Sequence, residues 1–347
     1  MNATGTSRRR AVKTLFCTSA VAMLKPVYVR AAEPSVIRIA YNLPKEHPIG
    51  QFFETLAAEI DKNTALTSLR IKAKTFPNGQ LFNDAQLPDA ISTGSVEIGQ
   101  VNIGFINAPA ASVGQIVNLP VLWNSWEALW YAEDNKAYRN IFRDLFNQLG
   151  MHLLGFAAYG TGEFYATKPV KMPNDFKGLR LRAYGKESSD LIRLLGASPV
   201  TLSSQEMYQG TQRGIIDGFL TGPSSVYSRK LYEVVKYSSA ASILRASFEA
   251  TCNMSWWRNL PKDTQAAIDQ SATVAEKKGR ELVSAEDKYA TEQIAKLGVL
   301  IQTLTSQERA QWIQIVKPMY DKYLQNADEK GKRLMQIVNE ANSANPR

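Results

Sequence analysis

The chain has 347 residues, 44% of them hydrophobic and 21% charged, the balance of an ordinary globular protein long enough for two domains. Its formal charge of +9 would suit a nucleic-acid partner, but Arg8, Arg9, Arg10, Lys13, Lys25 and Arg30 fall in the first 32 residues, which hold no acid. Beyond them 35 basic residues face 32 acidic ones, a net charge of +3, and no Lys/Arg-rich block follows, so a nucleic-acid surface is not expected.

Residues 1–32 read as an export signal: a basic start, a moderately apolar run over 15–24, and small residues at Ala31 and Ala32 before Glu33, with cleavage expected near Ala31 or Ala32. The run is too short to span a bilayer. Ser7-Arg8-Arg9-Arg10 resembles a twin-arginine export motif, with Ala11 where a phenylalanine is usual. Cys17 falls inside the signal and Cys252 alone remains, so the exported chain has no intrachain disulfide.

The mostly apolar run over 36–41 predicts a buried first strand, a loop over 42–48 carries His47, and Phe52, Phe53, Leu56, Ala57 and Ile60 share one helical stripe. A second strand around Leu69–Lys74, a turn at 77–81, a helix over 85–94 and a strand over 96–101 complete a βαβαβ run. One long amphipathic helix is expected over 125–148, then a strand over 151–156 holding His152. Residues 157–168, rich in glycine and aromatics, read as a crossing between domains. Next come strand, helix, strand, helix and strand over 175–223: Gly196 and Gly214 stop the two helices, and Ser203 with Glu206 stands at capping-box spacing. A strand returns over 247–253, a helix of about 35 residues starts after Pro261 and would span about 50 Å, and a short strand and two helices end the chain. Alternating strands and helices imply parallel pairing, with ligands beyond the carboxyl ends of the strands.

Catalytic patterns are scarce. His47 and His152 are the two histidines; the first reads as structural and the second as a hydrogen-bonded core residue. There is no nucleophile elbow, no phosphate-cradling glycine loop and no paired cysteine ligands, so no catalysis, metal or cofactor is expected. Arg180 and Arg182 share a face of their predicted strand. A guanidinium can clamp a carboxylate with two parallel hydrogen bonds, but periodicity does not choose between the two arginines, and such a pair reads first as a solvated face.

The stretch 175–218 resembles the signature of the periplasmic solute-binding subunits of TRAP (tripartite ATP-independent periplasmic) transporters of the DctP type. The family pattern Asp-(Phe/Met)-Lys-Gly-Leu-(Lys/Arg)-(Ile/Leu)-Arg is met over 175–182, Gly-Ala-(Ser/Asn)-Pro-Val over 196–200, and the run from Glu206 through Gln212 to Ile216-Asp217-Gly218 closes it. The resemblance selects Arg182 as the arginine that pairs with the substrate carboxylate. It puts Thr221 where many members carry an asparagine, and it brings Asn42 and Asn102 to the cleft from the first domain. Sialic-acid-type members carry a further arginine where this chain has Gly162 and Glu163. Glu163, if turned to the cleft, would repel a dianion, which favours a monocarboxylate. Tyr159, Phe164, Tyr165, Tyr208 and Phe219 are candidates to pack an aromatic or branched ligand body, although each taken singly reads first as core.

The fold implied is α/β, two-domain and periplasmic-binding-protein-like (Venus-flytrap), with hinge strands and a long helix bracing both domains. Domain I would take 33–157 plus about 247–285, and domain II 158–246 plus about 286–347. The function implied is capture of an organic acid in the periplasm and delivery to TRAP permease subunits, with membrane contact only through the permease. The alternatives are a dicarboxylate-binding TRAP subunit, an exported binding protein serving a membrane sensor, and, more remotely, an α/β enzyme.

Overall fold

Two long strands carry the architecture of the computed structural model, which describes residues 33–346; the export signal and its cleavage site lie outside the described residues. In chain order the elements are β1 (Ser35–Ala40), α1 (Pro48–Asn63), β2 (Ile71–Phe76), α2 (Leu87–Ser92), β3 (Ile98–Val101), α3 (Trp126–Asp134), α4 (Lys136–Gln148), β4 (Met151–Ala166), β5 (Arg180–Ala183), α5 (Lys186–Leu194), β6 (Ser198–Thr201), α6 (Met207–Gln212), β7 (Gly218–Thr221), α7 (Pro223–Ser228), β8 (Tyr237–Asn253), α8 (Met254–Asn259), α9 (Lys262–Lys296), β9 (Leu300–Thr303), α10 (Ser306–Asn326) and α11 (Glu329–Ala344). Short 3-10 turns fill several connections, 109–118 among them.

The sheet runs β2-β1-β3-β8-β4-β7-β5-β6, with β9 beside β8. Its outer thirds are parallel, β2-β1-β3 and β7-β5-β6, as βαβ crossovers require. The central ribbon of β4 and β8 is antiparallel to both. Residues 157–166, expected as a crossing after a strand over 151–156, continue that strand as the second half of β4. Periodicity missed this because the β4–β8 register shifts three times, at Leu153/Gly155, Ala158/Gly160 and Gly162/Phe164, and each bulge resets the two-residue alternation.

Helix α9 lies along this ribbon and is fastened at two bulges. Glu276 Oε1 accepts the Phe156 N–H at 2.6 Å, and Asp287 Oδ2 accepts the Thr161 N–H at 2.6 Å. Gly160, at φ +132, allows the second approach: a Cβ there would sit 2.7 Å from Asp287 Oδ1.

The single helix expected over 125–148 is two. Asn135 is extended (φ −68, ψ 124), and its side chain accepts the N–H groups of Ala137 and Tyr138 as the N-cap of α4. An asparagine that can satisfy two otherwise orphaned donors competes with continuing the helix. His47 is an N-cap too, its Nδ1 accepting the Ile49 N–H at 3.1 Å. His152 departs from expectation: its Nε2 is buried without a hydrogen-bond partner among the described residues, and its ring stacks on Trp257 with centroids 4.3 Å apart.

Candidate functional site

The carboxyl ends of β1, β3, β5 and β7 converge on a cavity whose floor is the β4–β8 ribbon, the place where open α/β sheets present their ligands. Arg182, Thr221, Tyr159, Asn42 and Asn102 all line it, joined by Asp84, Ser204, Ser225 and Tyr184, with Leu43, Leu220, Leu244 and Phe248 among its apolar walls.

The two strand arginines have separate fates. Arg180 lies at the exposed start of β5 and is paired with Asp217, its Nε and Nη2 donating at 3.1 and 3.0 Å. Arg182 is 4% exposed. Its Nε donates to the Leu202 carbonyl at 2.9 Å, and its guanidinium lies 5.2 Å from the ring centre of Tyr184 and 5.8 Å from that of Phe105. Nη2 stands 3.6 Å from Asp84 Oδ2, close enough to attract but too far to hydrogen-bond. Among the described residues no protein acceptor takes a hydrogen bond from its terminal nitrogens, and burial pushes its pKa down while Asp84 opposes the shift.

The remaining polar groups are set by short, buried contacts. The Tyr159 hydroxyl lies 2.8 Å from Thr221 Oγ1 and 3.1 Å from Ser225 Oγ and accepts the Gly222 N–H at 3.0 Å. Its ring stacks on Phe248 at 4.5 Å. Asn102 accepts the Gly104 N–H at 2.9 Å, which shapes the turn after β3. Asn42 donates to Ser204 Oγ at 2.8 Å, and its own carbonyl accepts Arg229 Nη2 at 2.6 Å. These contacts join the β2-β1-β3 side of the sheet to the β7-β5-β6 side, as does a backbone approach so close that a Cβ on Gly185 would lie 1.9 Å from the Gly104 oxygen.

Five expected residues, Tyr165, Phe219, Phe164, Tyr208 and Glu163, are elsewhere. Phe219 is fully buried in an apolar cluster with Tyr165, Met207, Ile216 and Val226; the ring stays in the core, and Thr221 at the strand's end reaches the cavity instead. Phe164 is likewise core, against Phe176 and Trp312. Tyr208 sits on α6 and donates to Glu233 Oε2 at 2.6 Å. Glu163 is turned from the cavity that its neighbour Gly162 lines, as adjacent strand residues are. Its carboxylate accepts the Ser238 hydroxyl at 3.3 Å, and burial, then the nearby Asp287 charge, raise its pKa to about 7. The argument that Glu163 repels a dianion in the cleft therefore fails.

Sequence reading also missed Asp84, Ser204, Ser225 and Arg229. Each is a polar residue in a loop or short helix, distant in the chain from Arg182, and no periodicity marks it. A larger groove of about 570 Å³ lies between α5, α10, α11 and residues 109–119, but its Lys186, Lys322 and Lys330 are already paired with acids. Size alone does not place the site. Among the described residues no group of three or more His, Cys, Asp or Glu could hold a metal ion, and no helix is long and apolar enough to cross a membrane.

Residues 39–326 match the model of the DctP family, described as bacterial extracellular solute-binding protein, family 7. A C4-dicarboxylate-binding periplasmic protein of Rhodobacter capsulatus is 25% identical over 295 residues, covering 84% of this chain and 86% of that protein. Among solved structures, a TRAP periplasmic solute-binding protein of Anaerococcus prevotii with bound glucuronate superposes with a TM-score of 0.84 at 22% identity, covering 90% of this chain and 100% of that one. One of Shewanella oneidensis with bound succinate gives 0.82 at 23%, covering 89% and 99%. A Bordetella pertussis extracytoplasmic solute receptor binding pyroglutamic acid gives 0.80 at 23%, covering 88% and 99%. At these identities the structures speak for the α/β fold of two-domain solute-binding proteins.

Proposed function

The chain belongs to the bacterial extracellular solute-binding proteins of family 7, and from that premise we propose that it captures one monocarboxylate with an aromatic or branched body and delivers it to TRAP permease subunits. It is a binding protein and not an enzyme. The observation that carries the reading is Arg182: buried, oriented through its Nε and with its terminal nitrogens unspent, it offers a carboxylate the two-pronged contact that guanidinium geometry favours. Among the described residues Arg182 is the single cation lining the cavity, which supports one carboxylate on the ligand. Tyr159, Tyr184, Phe248, Leu220 and Leu244 would pack its body. Thr221 and Asn102 would complete the polar contacts.

The cavity holds about 50 Å³, below the few hundred Å³ of most small-molecule sites. An organic acid of that kind enters when the two sides of the sheet part, which supports two domains, 33–157 plus about 247–285 and 158–246 plus about 286–347, closing on the ligand across the β4–β8 ribbon. The reading also takes residues 1–32 as a signal cleaved near Ala31 or Ala32. A dicarboxylate is the second reading, and the named specificity of the Rhodobacter relative favours it.

A thermal-shift screen of the exported protein against aliphatic, 2-oxo, hydroxy and aromatic acids, singly and doubly charged, tests the proposal. A ligand at a hundred times its Kd adds about 2.7 kcal/mol, a visible shift. Stabilisation by monoacids that Arg182→Ala abolishes is expected. No response to any acid, or equal binding by Arg182→Ala, would sink the carboxylate clamp.

A further inference from the structure

We infer that Asp84 determines which acids the cavity accepts, restricting it to ligands with one negative charge that also carry an N–H or O–H donor. The inference rests on the organic-acid reading above and deepens it. Asp84 reaches the site from the loop before α2 and is 5% exposed. Both its carboxylate oxygens lie 3.2 Å from the Ser204 N–H, which fixes it beside Arg182 without consuming that guanidinium's donors.

A second guanidinium stands close by. Arg229 donates to the Asn42 carbonyl at 2.6 Å, and its Nε is buried with no acceptor among the described residues. Its pKa is lowered by burial and by the like charge of Arg182, with Asp84 opposing. His47, also near Arg229, is held neutral, its pKa lowered to about 3 by burial. Glu206, nearer the surface, is engaged with the N–H and hydroxyl of Ser203. The buried site thus sets two arginines against one aspartate and is left with one unmatched positive charge. One carboxylate cancels it. A second would stand against Asp84 where little water screens the repulsion.

The same aspartate unbalances the hydrogen bonds. With the ligand carboxylate on Arg182, the acceptors shortest of donors are the Asp84 oxygens, which share the single Ser204 N–H, and Asn42 Oδ1, buried with no donor among the described residues. A methylene placed there would leave these acceptors dry, whereas a ligand hydroxyl or N–H would satisfy them.

The test is calorimetric titration of the protein purified after export, with hydroxy monocarboxylates, their deoxy counterparts and dicarboxylates of matched length. The wild type should prefer the hydroxy monoacids at least about tenfold over either other class, and Asp84→Asn should shift the ratio of mono- to dicarboxylate affinity toward the dicarboxylate by about tenfold or more. A wild type that prefers dicarboxylates or deoxy acids, or an Asp84→Asn variant with an unchanged ratio, overturns the role of Asp84 while leaving the carboxylate clamp standing. A wild type that binds no acid removes both. Should Asp84→Asn not fold, Arg229→Gln carries the test: it leaves no unmatched charge, so every monoacid should weaken about tenfold or more, and unchanged affinity overturns the charge count.

Discussion

The β4–β8 ribbon has two sides that treat charge in opposite ways. Against α9, Glu276 takes the Phe156 N–H and two hydrogen bonds from Arg139 Nη2, at 2.8 and 2.7 Å. Asp287 takes the Thr161 N–H and hydroxyl and the Ser224 hydroxyl. These carboxylates are spent on holding the protein together. On the cavity side Arg182 keeps its terminal nitrogens and Asn42 keeps Oδ1 without protein hydrogen-bond partners among the described residues, Asp84 standing 3.6 Å from Nη2. Buried polar groups that are fully paired fix a structure, while incompletely paired ones are costly until something else arrives. The side with unspent donors is where a ligand gains most.

That contrast can be broken by substitution. Arg182→Ala should have the largest effect, lowering acid affinity by about 30-fold to several thousandfold, since truncating one partner of a buried charged contact costs about 2–5 kcal/mol; titration calorimetry reads it. Glu276→Ala should cost stability rather than binding, about 3–5 kcal/mol, because Arg139 and the Phe156 N–H lose their partner; urea unfolding measures it, and a loss confined to affinity would contradict the division of labour.

A pH series comes next. Burial is the leading cause that raises Asp287 to about 6, Glu133 and Glu163 to about 7 and Glu249 to about 8. A carboxyl whose native pKa is raised holds its proton more tightly than the unfolded chain does. Its stabilising contribution is therefore full below the unfolded value and declines as pH rises through the native one. The depressed carboxyls, Glu97 and Asp217 among them, act below this window. His47 and His152, whose pKa values burial lowers to about 3 and about 4, oppose this trend until the unfolded histidine value of about 6.5 is passed, so the thermal midpoint should fall between pH 6.5 and pH 8, and a midpoint that rises over that range contradicts the burial of these carboxyls. Smallest is Glu163→Gln, which should leave affinity for any acid within about twofold, since Glu163 faces Ser238 and not the cavity. A tenfold change in titration would return it to the site.

What could be read ahead of the structure was what local pattern dictates. The alternation around Arg182, the capping residues Ser203 and Glu206 and the glycine stops at Gly196 (φ +73) and Gly214 (φ +66) placed the β5-to-β7 region. Helix α9 was legible from its length and its start at Pro261. The cavity was legible only through Arg182, Thr221, Tyr159, Asn42 and Asn102. Asp84 and Arg229 carry no local signature, because what brings them to Arg182 is sheet order and loop course. Glu163 was misplaced for the opposite reason: its chain position beside Gly162 was right, but which of two adjacent strand residues faces a ligand depends on bulges that no sequence period records.

The fastening of α9 to β4 makes the two elements commensurate. Glu276 and Asp287 are about three helical turns apart, about 16 Å of rise, and return to nearly the same helix face. Phe156 and Thr161, the residues they hold, are separated by about 16 Å of strand at ~3.3 Å per residue. One residue inserted into that strand would carry the second N–H about 3.3 Å past its carboxylate, and no single insertion in the helix restores it, since each adds ~1.5 Å and turns the side chain by ~100°. Helix and strand can change length here only together and in large steps, so this segment should tolerate substitution far better than insertion or deletion.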